Sequence, residues 1–109
     1  MGEFIVENVN WKKGETGLQH FILVESDGVT RRNGTGKTYI FSFWKKDAAT
    51  IKGTGALSPS DPVQGEHNYT VVAGDTDTEE EYKGELIENP GGLRSDTFKV
   101  FVDESSIRP

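Results

Sequence analysis

The stretch Lys37-Thr38-Tyr39-Ile40-Phe41-Ser42-Phe43-Trp44-Lys45 decides the reading of the fold. Side chains on an extended chain alternate between two faces, so Tyr39, Phe41 and Phe43 share one face while Ile40, Ser42 and Trp44 share the other. A face of three aromatics must be core. The opposite face ends in a tryptophan followed by Lys45-Lys46, which makes Trp44 the better candidate for an exposed aromatic.

Working outward, strand signals recur at short intervals, each bounded by turn chemistry, and this spacing predicts a sandwich or barrel. About seven strands can be placed: Glu3 to Val9, Leu18 to Glu25, Lys37 to Lys45, Thr50 to Leu57, Glu66 to Val72, Tyr82 to Glu88 and Thr97 to Asp103. Ser58-Pro59-Ser60-Asp61-Pro62 is read as ending the fourth, because proline removes backbone donors. Asn89-Pro90-Gly91-Gly92 is a turn, Arg31-Arg32-Asn33-Gly34-Thr35-Gly36 a mobile glycine-rich loop, and Ala73 to Glu81 an acidic connection. A frayed tail is expected over Glu104 to Pro109. No period of 20–50 residues repeats and no heptad appears in the sequence.

With 109 residues and no long linker, the chain reads as one domain. Only 33% of residues are hydrophobic, but 10% are aromatic, so a thin core rich in rings is feasible. Thirteen glycines favour many turns over helix. Without cysteine there is no disulfide, thiolate metal site or cysteine nucleophile. The opening residues lack the features of a signal peptide and no apolar run reaches the about 18 residues of a membrane span, so a soluble, cytoplasmically made protein with no membrane partner is expected. The formal charge of −6 opposes binding to the phosphates of nucleic acid.

Motifs for chemistry are weak. Gly34-Thr35-Gly36-Lys37-Thr38 ends like a phosphate-binding loop, but Arg31 stands where the motif needs its first glycine, and the loop leads into a strand. Asp75, Asp77 and Glu79 alternate like the first half of a calcium loop. Glu80 replaces the required glycine and Leu86 the bidentate glutamate, leaving these three as weak metal candidates in a solvated connection. The two histidines, His20 and His67, lie on strands away from any recognisable nucleophile pattern, so no catalytic residue, cofactor or enzymatic activity is expected. Trp11 and Trp44 are candidate contacts for a partner or a glycan, since an aromatic platform stacks on sugar rings. Tyr82, opening a strand after an Asp-containing turn, is similar to the tyrosine corner of immunoglobulin-like sandwiches. Tyr39, Phe41, Phe43, Tyr69, Phe98 and Tyr82 are assigned structural roles.

Taken in order, Lys13-Gly14-Glu15-Thr16-Gly17, the aromatic strand Tyr39 to Lys45, Gly65-Glu66-His67-Asn68-Tyr69-Thr70, Ala73-Gly74-Asp75-Thr76-Asp77-Thr78, Tyr82-Lys83-Gly84-Glu85-Leu86 and Thr97-Phe98-Lys99-Val100-Phe101-Val102 resemble the N-terminal domain family of phage upper baseplate proteins. Glu80-Glu81 stands where that family usually has a glycine. The resemblance spans nearly the whole chain and implies an all-β, immunoglobulin-like antiparallel β-sandwich. It also implies a non-enzymatic structural protein of the virion that docks to tail or baseplate subunits, or serves as a small tail adaptor or capsid decoration protein. Other virion proteins and copies of itself are the expected partners, through exposed sheet edges and aromatic faces. A carbohydrate-binding module using Trp44 or Trp11, and a small accessory subunit of an enzyme, are the alternatives.

Overall fold

The computed structural model describes residues 4–45, 47 and 50–103. The start of the first expected strand at Glu3 and the tail over residues 104–109 lie outside the described residues. Among the described residues ten strands follow one another: β1 (Phe4–Val6), β2 (Val9–Lys12), β3 (Gly17–Glu25), β4 (Thr38–Lys45), β5 (Ile51–Ala56), β6 (Ser58–Asp61), β7 (Glu66–Val71), β8 (Glu80–Asn89), β9 (Leu93–Arg94) and β10 (Phe98–Asp103). Two short 3-10 turns, Pro62–Gln64 and Ala73–Asp75, interrupt them.

One sheet has the order β1-β3-β7-β6, and the other β2-β10-β8-β4-β5 with β9 on β8. Their inward side chains interdigitate as one core. The order β1-β3-β7-β6 facing a sheet centred on β4, β8 and β10 is that of strands A-B-E-D facing C-F-G in an immunoglobulin-like sandwich, with β5 as an added edge strand beside β4. The sheets are not purely antiparallel as expected, because β2 runs parallel to β10, with Val9 opposite Val100 and Trp11 opposite Val102.

That parallel pair has a local cause. Val6 and Val9 are three residues apart, so a continuous strand would point them to opposite faces. The chain instead crosses between the sheets at Glu7 and Asn8, so that Phe4 and Val6 enter the core from one sheet, and Val9 and Trp11 from the other. The Asn8 side chain accepts a hydrogen bond from the Lys99 backbone N–H at 2.9 Å and secures the crossing. The one strand expected up to Val9 is therefore two.

Ser58–Asp61 also departs from expectation. It does not end in a turn at Pro59 but forms β6, paired on one side only, with β7. A proline is tolerated there because the outer side of an edge strand needs no donor.

Phe41 lies at the centre of the core, fully buried, with ring centroids of Tyr69 at 4.9 Å, Phe21 at 5.1 Å, Phe43 at 5.3 Å, Phe98 at 5.9 Å and Trp11 at 6.3 Å. Tyr82 is buried, and its hydroxyl points back to the Thr78 carbonyl at 3.4 Å, a long bond with the direction of a tyrosine corner. Two residues on stands Gly84, at the place where antibody domains carry the second cysteine of their inter-sheet disulfide. A side chain there would meet Phe98 at 2.7 Å, Val100 at 3.0 Å and Phe41 at 3.1 Å. Stacked rings fill the space that a disulfide and tryptophan occupy in antibody domains.

Candidate functional site

The outward face of the larger sheet carries the part-exposed aromatic anticipated from the sequence. Trp44 is half-buried there, opposite Lys83 on β8 and Ile51 on β5, the latter after a register shift between Phe43 and Trp44. Ile40 faces Ile87 across the same pair of strands, and Phe101 faces Glu81 from β10. Trp44, Ile40, Ile87 and Phe101 are all half-buried, and Ile51 is 48% exposed. Charged side chains border them: Lys45 pairs with Glu80, Arg94 with Glu85, and the Lys99 ammonium sits 6.0 Å from the Phe101 ring centre. Ser42 and Glu85 lie between the Ile40–Ile87 pair and Trp44, so the face alternates apolar side chains with polar and charged ones.

Trp11 does not join this face. It is 1% exposed, packed against Phe43 with centroids 5.5 Å apart, and its indole N–H donates to Gln19 Oε1 at 2.9 Å. The crossing of the chain between sheets turns Trp11 inward, so it cannot serve as a partner or glycan contact.

The acidic connection is also resolved into separate roles. Asp75 is buried and accepts hydrogen bonds from the Tyr69 hydroxyl at 2.7 Å and the Val72 backbone N–H at 3.1 Å, closing a 3-10 turn. Burial, reinforced by this carboxylate, pushes the Tyr69 hydroxyl above its ordinary pKa. Asp77 points elsewhere, to Lys52, whose ammonium holds the carboxyl below its usual range. Glu79 is exposed. The three weak metal candidates therefore diverge, and no cluster of three potential metal ligands is formed among the described residues.

Between β5 and β7 lies an open cleft of about 700 Å³, floored by Gly53, Gly55 and Tyr69 and flanked by Ile51 and Val72. A methyl group on Gly53 would stand 2.5 Å from Asp75 Oδ1 and 2.6 Å from the Phe43 ring. Gly53→Ala is expected to lower stability by about 1–3 kcal/mol through this overpacking, whereas Gly55→Ala meets only the Tyr69 ring edge at 3.0 Å and costs less. Urea denaturation of the two variants side by side checks the order.

A charged cluster that the sequence reading did not anticipate closes one end of the sandwich. Glu88 continues the inward series Tyr82, Gly84, Leu86 along β8 and is 1% exposed. Its Oε1 accepts from the Tyr39 hydroxyl at 2.6 Å and from Arg32 Nε at 3.2 Å, and its Oε2 from Arg32 Nη2 at 2.7 Å. Arg32 also donates to Glu25 at 2.6 Å, and its guanidinium lies 4.8 Å from the Phe4 ring centre. Burial pushes the Glu88 carboxyl up, but the hydrogen bonds from Arg32 and Tyr39 outweigh it and hold the pKa below the ordinary value. The loop read as mobile is thus tied down by its second arginine, with Arg32 N–H on the Leu23 carbonyl and Gly34 N–H on the Pro62 carbonyl. A glutamate at an inward position of a strand was the available signal.

Of the two histidines, His20 is exposed on β3, with Nδ1 2.7 Å from Asn68 Oδ1 and Nε2 3.2 Å from Glu66 Oε1. His67 is 1% exposed on β7, against Tyr39. Tyr69 and Phe98 are core residues, 4% exposed each. No family model matches the sequence, and no curated protein matches it.

Proposed function

We propose that this domain is a non-enzymatic assembly module that docks to protein partners through the outward face around Trp44, as a structural subunit of a phage virion. The resemblance of its ordered segments to the upper-baseplate domain family supplies the virion setting, with tail, baseplate and capsid subunits and further copies of the chain as partners. The observation that carries the docking reading is the half-buried set Trp44, Ile40, Ile87 and Phe101 presented on one sheet face.

The outer strands β1, β6 and β5 are poor docking edges. β1 has three residues, β6 contains Pro59, and β5 carries Lys52 and the register shift beside Trp44. Short strands, proline, lysine and bulges are the devices by which proteins discourage strand addition. Glycan stacking is the weaker reading, because Trp11 is in the core and only one of the two tryptophans reaches the surface.

Light scattering across a concentration series tests the proposal. The wild type is expected to form a discrete oligomer that Trp44→Ala weakens by about 30-fold or more in Kd, the effect of losing an aromatic hot spot worth about 2 kcal/mol. The folded state of the variant should be little perturbed, because the Trp44 side chain points away from the core. Equal masses for wild type and variant at every concentration would overturn self-association through this face, and a glycan-array signal lost in Trp44→Ala would favour the sugar reading instead.

A further inference from the structure

The side chain of His67 is sealed under the 31–36 loop with one ring nitrogen unprovided for. Its Nε2 is buried and has no hydrogen-bond partner. Its ring centre is 4.7 Å from that of Tyr39, and Gly34 covers both side chains so closely that an added methyl would lie 3.0 Å from His67 Nε2 and 3.0 Å from the Tyr39 hydroxyl. Gly34 is itself buried and pinned by its N–H on the Pro62 carbonyl at 2.8 Å. A neutral imidazole tolerates this enclosure at the cost of one unmade hydrogen bond. An imidazolium does not, since it brings a second N–H donor and a full charge into a site closed to water.

We propose that His67 makes this corner of the sandwich an acid-sensitive latch: protonation of the ring expels Gly34 and opens the loop at residues 33–36, beyond Arg32, which stays on Glu88 while the two sheets stay paired.

The surroundings offer the charged ring no compensation. From β4 comes Tyr39, whose hydroxyl donates to Glu88 and makes no hydrogen bond with His67 Nε2. Behind it, both oxygens of Glu88 on β8 are engaged by Arg32 and Tyr39. From the loop comes Arg32, a cation that repels a second one, and Lys37 at its far end is exposed. β3 places Phe21 opposite His67, with His20 next in sequence on the outer face and Glu25 occupied by Arg32. β6 places Pro59 opposite it, and its Asp61 is exposed. On β7 itself, Glu66 and Asn68 point outward to His20. The remaining way to hydrate Nε2 is to move Gly34.

Burial first, and the charge of His20 second, lower the His67 pKa from its ordinary 6.5. The closed state therefore binds its proton more weakly than the open one. The stability of the closed loop is fully present above about pH 6.5 and is lost as pH falls from there towards the lowered value.

Hydrogen exchange of the full chain, corrected for intrinsic rates, reads the latch directly. Between about pH 7.5 and pH 5, protection of the amides of residues 33–37 is expected to fall by about tenfold or more while β8 amides keep theirs. His67→Phe, which keeps a ring beside Tyr39 and has nothing to protonate, should abolish the difference, and His20→Gln should leave it in place. An undiminished pH effect in His67→Phe, its loss in His20→Gln, constant loop protection in the wild type, or loop and β8 opening together would each overturn the proposal. Should His67→Phe fail to fold, the proton-NMR titration of the wild-type ring decides: a His67 pKa below 6.5 supports the latch and one at or above it overturns it.

Discussion

Arg32→Ala is expected to lower the unfolding free energy by about 3–5 kcal/mol, the cost of leaving a buried carboxylate without its counter-charge. The side chain of Glu88 is 2% exposed and that of Arg32 16%, so the pair lies at the inner end of the range of environments in which ion pairs occur. After removal of the guanidinium, Glu88 keeps only the Tyr39 hydroxyl, and the loop loses the group that fastens it to Glu25 and Phe4. For a domain of this size the loss is a large part of the total stability. The double variant Arg32→Met with Glu88→Leu should recover most of it, because two apolar side chains of similar volume need neither partner nor proton. Urea denaturation followed by tryptophan fluorescence compares the three proteins, and a double variant no more stable than Arg32→Ala would show that packing, and not an uncompensated charge, sets the cost. The pH window also separates this pair from His67. A carboxyl held below its ordinary 4.5 contributes stability above about that pH and loses it as pH falls through the lowered value, a lower range than the histidine occupies.

The second large effect belongs to Phe41. Phe41→Ala is expected to cost about 3–5 kcal/mol, since the cavity would open at the meeting point of Tyr69, Phe21, Phe43, Phe98 and Trp11 and those rings cannot all collapse into it. Phe41→Leu, which keeps most of the volume, should lose less than half as much. Equilibrium unfolding of both variants checks the ranking. A small loss in Phe41→Ala would mean that Gly84, with its bare backbone below the ring, allows the sheets to close over the gap.

Such a core differs from that of antibody domains in how its two sheets are joined. With no cysteine in the chain, no disulfide joins the sheets; rings and aliphatic side chains pack between them, and Gly84 allows Phe41 and Phe98 to approach β8 where a disulfide would stand. Most of the aromatic residues are buried between the two sheets, and Trp44 and Phe101 are the exceptions.

Local pattern was sufficient where a residue's environment follows from its immediate neighbours. The alternation over Tyr39 to Trp44 determined β4, its buried face and its outward tryptophan, because a strand has a period of two wherever it lies. The same reasoning located β3, β5, β7, β8 and β10 to within a few residues, and with them the all-β sandwich. What the chain does at positions of broken alternation depended on partners distant in sequence. Whether the polypeptide crosses sheets at Glu7 and Asn8, and so buries Trp11, was decided by β10, about ninety residues away and tied to Asn8 through Lys99. Whether Arg32 belongs to a free loop or to the core was decided by Glu88 across the sandwich. Asp75, Asp77 and Glu79 are neighbours in sequence, yet only folding showed that one serves Tyr69, another Lys52 and the third faces solvent. Periodicity is a property of the backbone and can be read residue by residue, whereas the pairing of charges, rings and buried polar atoms is a property of the distances between segments, which the tertiary structure alone supplies.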